Sequence, residues 1–219
     1  MTGTRDAVLQ AVRAALGTAS PDPQAIAAEA AALLEAPEAI RPRLPAGDMV
    51  ALFAERVASA KVSATLDRVA SLEALPEAVR RYLTAQALPP AIALQPTAAL
   101  QGLDWRGIEI RASLSADEAV GVGLARWGIA ETGSLVFHSG PDTPILFNFL
   151  PLHHVVAIEA AAILLHLEDY AAAAAAEPAP RNVNLITGIS GTTDIEGSYV
   201  RGAHGPRFLH VIIVGQQHA

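Results

Sequence analysis

The sequence of 219 residues contains no cysteine. This absence excludes disulfides, thiolate nucleophiles, zinc–thiolate sites and iron–sulfur clusters held by cysteines of this chain. If the protein takes part in a redox process, another subunit or a bound cofactor must therefore carry the electrons. Lysine is almost absent too, because 14 of the 15 basic residues are arginine and Lys61 is the only lysine. Schiff-base and P-loop chemistry have this single candidate, and Lys61 lies in neither motif.

Positive charge and aromatic rings are also scarce. The 22 acidic residues outnumber the 15 basic ones, and aromatic residues make up 5% of the chain. A nucleic-acid partner is therefore not expected, since binding nucleic acid requires clustered positive charge or a stacking platform. The apolar run from Ala157 to Leu167 contains Glu159 and His166 and is too short to span a bilayer. With no signal-peptide pattern at the charged N-terminus, we expect a cytoplasmic protein without a membrane span.

The first part of the chain has helical spacing of its apolar residues. The pattern predicts one helix over Thr4–Leu16, a second from Asp22 to about Leu34, and a third that begins at Gly47-Asp48. Three prolines between Pro37 and Pro45 indicate a linker. We therefore expect an N-terminal helical segment, residues 1–45, followed by an α/β domain, residues 46–219.

Beyond Lys61, short apolar strands alternate with helices. The predicted strands are Val62–Thr65, Ala91–Leu94, Ile108–Ala112, Val120–Ile129, Ser134–His138, Val155–Ile158, Val183–Thr187 and Leu209–Val214. The predicted helices are Leu72–Gln86, Ala160–Ala175 and Asp194–Val200. Several strands are almost continuously apolar, which is typical of strands buried on both faces. The pattern predicts a three-layer α/β fold with a mostly parallel sheet between helices.

The densest unusual stretch runs from Thr187 to Arg207. A buried strand leads into a glycine-rich turn there, and the carboxyl ends of parallel strands are common ligand sites. A turn and a helix N-terminus at this place would offer amides and hydroxyls to a small anion. The candidate ligand residues in this turn are Ser190, Gly191, Thr192, Thr193, Asp194 and Glu196. The alternative is purely structural, because Thr193 and Glu196 also form a capping-box pattern.

A second tight loop, Arg201–Arg207, precedes the last strand. Its candidate ligand residues are Gly202, His204, Gly205 and Arg207, since an arginine side chain can clamp an anion with two hydrogen bonds. The alternative is a turn in which His204 bonds to the main chain and the arginines are solvated. No metal site is expected, because a single histidine is rarely one and His153-His154 would point to opposite faces of a strand.

A third candidate is the turn at Glu131, Thr132 and Gly133. Glu131 lies between apolar segments, and burial there would suit a base or nucleophile, so it is the one catalytic candidate. Alternatively, Glu131 and Thr132 bond to amides of the turn. Known catalytic patterns are missing: Gly121-Val122-Gly123 lacks the third glycine of a dinucleotide fingerprint, and Thr192 replaces the second glycine of a nucleophile elbow.

Taken in order, several of these stretches resemble the lactate-utilization protein C family, whose members consist largely of one LUD domain. The resemblance extends over roughly Val120 to Val214. It is carried by the segments Ala130–Ser134, Leu150–Val156, Ile189–Gly191, Thr193–Glu196 and Gly202–Pro206 with Leu209–Val211.

The resemblance implies a fold of the NagB/RpiA/CoA-transferase-like group and a role in oxidising L-lactate to pyruvate with iron–sulfur partner proteins. It implies neither catalytic residues nor a cofactor. The leading hypothesis is a non-redox accessory subunit that binds a small anionic or nucleotide-like ligand. One alternative is a stand-alone acyl- or CoA-transferring enzyme that uses Glu131 as nucleophile. Another is a structural interaction module in which every motif is a cap or a turn.

Overall fold

The N-terminal helices form a unit of their own. The computed structural model describes residues 3–16, 22–35, 41–111, 113–116, 118–193 and 195–215. The chain divides into two units, Met1–Arg43 and Leu44–Ala219. The first unit contains α1 (Thr4–Leu16) and α2 (Pro23–Leu34), as the spacing predicts. Asp22 caps α2 by accepting the N–H of Gln24 at 3.0 Å, and the proline at the first helical position fits that start.

The second unit contains the remaining helices and all the strands described. The helices are α3 (Met49–Ala58), α4 (Leu75–Ala85), α5 (Ala98–Gln101) and α6 (Leu167–Ala175), with 3-10 turns at Leu72–Ala74, Ile145–Asn148 and Ala160–Ala162. The strands are β1 (Thr65–Val69), β2 (Ala91–Leu94), β3 (Glu109–Arg111), β4 (Val120–Leu124), β5 (Trp127–Ile129), β6 (Ser134–His138), β7 (His153–Glu159), β8 (Ile163–Leu164), β9 (Val183–Ile186), β10 (Gly191–Thr193), β11 (Tyr199–Arg201) and β12 (Phe208–Val214).

Six strands form one parallel sheet in the order β1-β12-β7-β4-β2-β3. Its central strands have the continuous apolar runs Val155–Ile158 and Val211–Ile213, and every residue of both runs is fully buried. Such strands need cover on both faces, which the fold provides. The prediction of a parallel α/β sheet is confirmed.

The two faces of this sheet are covered differently. On one face, α4 and α5 bury Val79 and Leu100 against Ile92 and Ile212. On the other face, α3 and strand β6 bury Phe53 and Phe137 against the sheet. The result is a three-layer arrangement in which the last layer combines a helix with a second sheet.

That second sheet departs from the prediction of a single sheet. Its strands lie in the order β8-β5-β6-β9, with β5 antiparallel to β6 and β6 antiparallel to β9. The predicted single strand Val120–Ile129 is two strands, because the chain leaves the parallel sheet at Ala125 and Arg126. A period-2 pattern carries no information on which strand is the neighbour, so it did not separate the two sheets.

Two predicted helices are wrong in part or entirely. Within Ala160–Ala175, Ile163 and Leu164 pair with β5 as β8, and the helix begins only at Leu167. The segment predicted as a helix over Asp194–Val200 ends in strand β11, which pairs antiparallel with β10. Gly197, with φ +84°, lies in the connecting turn, a left-handed conformation that helices avoid. The first strand is also displaced, from Val62–Thr65 to Thr65–Val69.

Candidate functional site

A cavity of about 550 Å³ lies at the amino end of the parallel strands. Its lining residues are Ala116, Glu118, Ala119, Phe149, Leu150, Pro151, Leu152, Gly202, Ala203, His204 and Gly205. Ala119 directly precedes β4, Leu152 directly precedes β7, and Gly205 comes three residues before β12. We call it the amino-end cavity. It takes in three of the predicted ligand residues, namely Gly202, His204 and Gly205.

Main-chain hydrogen bonds connect the Ser190 turn to this cavity. The N–H of Ser190 donates to the carbonyl of Pro206, and the N–H of Gly202 donates to the carbonyl of Ser190, both at 2.9 Å. A Cβ on Gly205 would lie 3.2 Å from the Cβ of Ser190, so the two loops pack closely. The structure therefore brings together the Ser190 and Gly202 loops, which the sequence singled out separately.

The hairpin β10–β11 replaces the helix expected after Thr193. Thr193 pairs with Tyr199, and Gly191 allows the Tyr199 ring to cross it, since a Cβ there would lie 2.1 Å from the Tyr199 hydroxyl oxygen. Thr192 is half-buried, whereas Thr193 and Glu196 are exposed. Asp194 lies outside the described residues. Among the described residues of this segment there is no helix, because Thr193 and Tyr199 belong to strands, so the anion site predicted at a helix N-terminus and the capping box are both wrong.

The charged groups near the amino-end cavity are largely occupied. The buried carboxylate of Glu118 forms an ion pair with Arg111 and lies 3.5 Å from the hydroxyl of Ser115. The Arg207 guanidinium lies 5.7 Å from the centre of the Phe208 ring, and Arg207 is not among the lining residues. His204 is exposed. Most of the lining residues are apolar, which suits a ligand with an apolar body.

Glu131 belongs to a different cluster. One of its carboxylate oxygens lies 2.9 Å from Nδ1 of His166, and the other accepts the N–H of Leu167 at 3.0 Å. The side chains of Glu131 and His166 are only 10% and 11% exposed. A carboxylate at the first turn of a helix is stabilised by the helix dipole, and here that helix is α6. Glu131 therefore joins the turn after β5 to the start of α6, and the amides it meets are not those of its own turn.

Hydroxyl groups extend the Glu131 turn toward β9. The Thr132 hydroxyl lies 2.7 Å from that of Ser134, which lies 2.6 Å from that of Thr187. Gly133 has φ +73° and packs against the main chain of α3, where a Cβ would lie 3.1 Å from the Val57 nitrogen. Thr132 and Gly133 thus have structural partners, and none of the three turn residues lines the amino-end cavity.

Glu131, His166 and Glu168 are the one group of side chains, among the described residues, whose potential metal-ligand atoms lie within 4.8 Å of one another. Both Glu131 oxygens already accept hydrogen bonds, and the adjacent helix terminus carries partial positive charge. A cation is disfavoured there, and the cluster is better explained as the cap of α6.

The sequence drew attention to His153 and His154 only as a rejected metal pair, but both are buried. The two side chains lie on opposite faces of β7, as strand alternation predicts: His153 bonds to the Tyr82 hydroxyl at 2.8 Å, while His154 lies near Phe137. Burial lowers the pKa of His154 to about 4, and neither of its ring nitrogens has a hydrogen-bond partner among the described residues.

His210 extends this buried histidine group. Its Nδ1 lies 2.8 Å from the Thr65 hydroxyl and its ring stacks on Tyr82, with ring centres 4.4 Å apart. Burial lowers the pKa of His210 to about 4. Histidines at strand positions inside apolar runs were the available sequence signal for this group.

The two sheets and the helices that cover them form a three-layer α/β domain. The LUD domain model matches residues 50–214. The chain therefore belongs to the LUD domain family. No helix within the described ranges combines the length and apolar character needed to cross a membrane.

Individual relatives match over shorter stretches. Lactate utilization protein C of Anoxybacillus flavithermus is 30% identical over 113 residues, which are 50% of this chain and 51% of that protein. The protein of the same name from Deinococcus radiodurans is 34% identical over 106 residues, or 48% and 50% of the two chains. The uncharacterized protein YkgG of Escherichia coli is 34% identical over 100 residues, 43% of each. The chain spans about half the length of the curated relatives it matches.

Among solved structures, a DUF162 family protein from Deinococcus radiodurans has the same fold. It aligns with 79% of this chain and 100% of its own, with a TM-score of 0.55 and 20% sequence identity. At this identity the likeness is one of fold alone.

Proposed function

We propose that this chain is a non-redox accessory subunit of a system that oxidises L-lactate to pyruvate, with partner proteins that carry iron–sulfur clusters. The observation that carries the proposal is the LUD domain match over residues 50–214, together with relatives named lactate utilization protein C. The absence of cysteine from the chain supports a role without a cysteine-held cluster. A cytoplasmic location and the NagB/RpiA/CoA-transferase-like fold group are part of the same proposal.

The amino-end cavity is the place we assign to a ligand or partner segment of that system. The Gly202–Gly205 loop that lines it is hydrogen-bonded to the Ser190 turn, and most of its lining residues are apolar. Such a surface favours a nucleotide-like group or a small anion with an apolar body. Glu131 is left out of this role, because both of its oxygens are engaged at the start of α6.

Growth on L-lactate tests the proposal directly. A strain that lacks the gene should fail to grow on L-lactate as sole carbon source and should grow normally on pyruvate, the product of the oxidation. The wild-type gene, supplied again, should restore growth, and the tagged protein should co-purify with iron–sulfur proteins. Normal growth of the deletion strain on L-lactate would contradict the proposed function.

A pair of matched variants tests the cavity. Ala203→Phe places a ring in the amino-end cavity, whereas Ala171→Phe places the same ring on an exposed position of α6. The first should fail to restore growth on L-lactate and the second should restore it. Equal growth of both complemented strains would remove the cavity from the proposal and leave the rest standing.

A further inference from the structure

The carboxyl ends of β2 and β4 form a second place where the topology favours a ligand. These two strands are neighbours in the parallel sheet. The chain leaves β2 toward the face covered by α4 and α5, and it leaves β4 toward the face covered by β6. In open α/β sheets, ligands bind where neighbouring strands send their connections in opposite directions. The amino-end cavity lies at the other end of the sheet.

The two strands separate at this point. The last main-chain bond between them runs from the N–H of Gln95 to the carbonyl of Val122, at 2.9 Å. The next amide, that of Leu124, donates to the side-chain oxygen of Gln95 at 2.7 Å. The buried side chain of Gln95 thus replaces a main-chain partner, and a crevice opens between the strand ends beyond it.

The crevice has a volume of about 280 Å³. Its walls come from the last residues of β4 and β6 and from the segments that follow β2, β4 and β6. The lining residues are Thr97, Leu124, Ala125, Arg126, Phe137, His138, Ser139, Gly140, Asp142 and Thr143. We call it the carboxyl-end crevice. It shares no residue with the amino-end cavity, and none of its residues belongs to the motifs that the sequence singled out.

Arg126 lines this crevice as a cation, and two contacts orient its half-exposed side chain. Its guanidinium lies 4.8 Å from the centre of the Trp127 ring and forms an ion pair with Glu177 through Nη2. Arginine has five N–H groups in a planar fork, and the fork matches a carboxylate geometrically. In the pair with Glu177, Nη2 of Arg126 donates to a carboxylate oxygen, and the guanidinium has further N–H donors for a second carboxylate.

Oxygen atoms surround the rest of the crevice. The Thr97 hydroxyl accepts the N–H of Leu100 at 3.4 Å, and the Ser139 hydroxyl accepts that of Asn182 at 2.9 Å, so each keeps its own hydrogen to donate. The exposed carboxylate of Asp142 can accept a hydroxyl hydrogen. Phe137, Ala125 and Leu124 supply a small apolar wall. The arrangement suits a short carboxylate that carries a second oxygen.

We propose that the carboxyl-end crevice binds a small 2-hydroxy- or 2-oxocarboxylate, whose carboxylate group pairs with Arg126 and whose second oxygen bonds to the surrounding hydroxyls. The inference rests on the proposed function only for the choice of probes, L-lactate and pyruvate. The site itself rests on the topology, the separated strands and the lining residues. Binding is measured with the purified chain, so its outcome is independent of growth and of partner proteins.

Titration followed by amide chemical shifts of the ¹⁵N-labelled protein tests the proposal. L-lactate and pyruvate should give saturable shifts, the largest of them among residues 95–97, 124–126 and 138–143. Propionate, which lacks the second oxygen, should bind several-fold more weakly. No saturable shift with either probe, or the largest shifts at residues 202–205, would overturn the proposal. Equal binding of inorganic phosphate would overturn the carboxylate class.

A matched pair of arginine variants tests the role of Arg126. Arg126 and Arg81 are similarly exposed, 50% and 52%, and each pairs with one carboxylate, Glu177 and Asp67. R126Q should weaken binding roughly tenfold or more, while R81Q should leave it unchanged. If R126Q does not fold, R126K keeps the charge without the fork and should still weaken binding roughly tenfold. Unchanged affinity of the folded Arg126 variant would overturn the assignment.

Discussion

The two ends of the parallel sheet are built from different parts of the chain. At the amino end, the Gly202–Gly205 loop and the segment Phe149–Leu152 line the cavity, mainly with apolar groups. At the carboxyl end, the side chains of Arg126, Ser139 and Thr143 face the crevice. Glycine-rich motifs mark places where the main chain folds tightly, so sequence reading located the first end. The carboxyl end is lined by side chains that belong to no recognised motif, and only the order of the strands in the sheet brings them together.

Acidification should produce the largest effect on stability, and it acts on the central strands that connect the two ends, because the buried His154 lies in β7 and the buried His210 lies in β12. Burial lowers both pKa values from 6.5 to about 4. Below pH 6.5 the unfolded chain therefore binds protons that the folded chain does not, and stability must fall as the pH falls. Between pH 7 and pH 4 the expected loss is about 3 kcal/mol for each histidine.

Urea unfolding at several pH values measures this loss, and hydrogen exchange shows where it begins. Asp67 and Arg81 act on His210 in opposite directions, whereas burial alone acts on His154. His154→Leu is therefore the cleaner variant: it should keep or increase stability at pH 7 and remove the share of the pH dependence that His154 contributes, about 3 kcal/mol between pH 7 and pH 4. A pH profile identical to that of the wild type would show that His154 is not protonated on unfolding.

Substitution of the two glycines of β4 should give the next largest effect on the free energy of unfolding. They lie two residues apart on the same face of the strand, Gly121 near the amino end and Gly123 near the carboxyl end. A Cβ on Gly121 would lie 2.4 Å from the Cγ of Pro151, whereas the nearest atom to a Cβ on Gly123 is 3.4 Å away. Gly121→Ala should cost about 1–3 kcal/mol of unfolding free energy and Gly123→Ala less than about 1 kcal/mol.

Urea denaturation of the two alanine variants measures the difference, and each is the other's control for the strand propensity of alanine. Equal losses would mean that β4 is packed equally tightly at both ends. The inference that β4 is packed more tightly at its amino end than at its carboxyl end would then be wrong.

The smallest effect on stability is expected for a substitution of Glu131, which lines neither the amino-end cavity nor the carboxyl-end crevice. Glu131→Gln keeps an oxygen for the Leu167 amide but removes the charge at the start of α6, which should cost about 1 kcal/mol. Glu55→Gln, at an exposed position of α3, serves as control and should be neutral. If the Glu131 variant were equally neutral, and an acyl adduct formed on Glu131 of the wild type with acyl-CoA, the carboxylate would be a nucleophile and not a cap.

The local pattern of apolar residues predicted an element correctly where that element depends on its own sequence and not on a distant partner. Strands β2 and β6 begin and end where the apolar runs predict, and α1 does too. The helix predicted over Asp194–Val200 failed because Thr193-x-x-Glu196 fits a capping box as well as a hairpin, and Gly197 decides between them. The second sheet could not be predicted, since β6 and β9 pair across more than 40 residues of intervening chain.

The candidate site was predictable only in fragments. The Ser190 and Gly202 loops were recognised by their glycines, and the structure joins them through main-chain bonds. The position of Glu131 beside His166 depends on where α6 begins, which the alanine-rich run did not reveal. Gln95 and Arg126 carry no motif, because their roles arise from the separation of two strands whose adjacency is a property of the whole sheet.

Ser190 connects hairpin β10–β11 to the loop that lines the cavity by hydrogen bonds of its amide and its carbonyl. Any residue that adopts the same backbone angles can provide those two groups. Position 190 is thus suited to carrying a small reporter, for example a cysteine for a fluorescent label in a chain with no other thiol. Such a label would sit where the hairpin meets the cavity wall, and its emission would follow the arrival of a ligand or a partner protein.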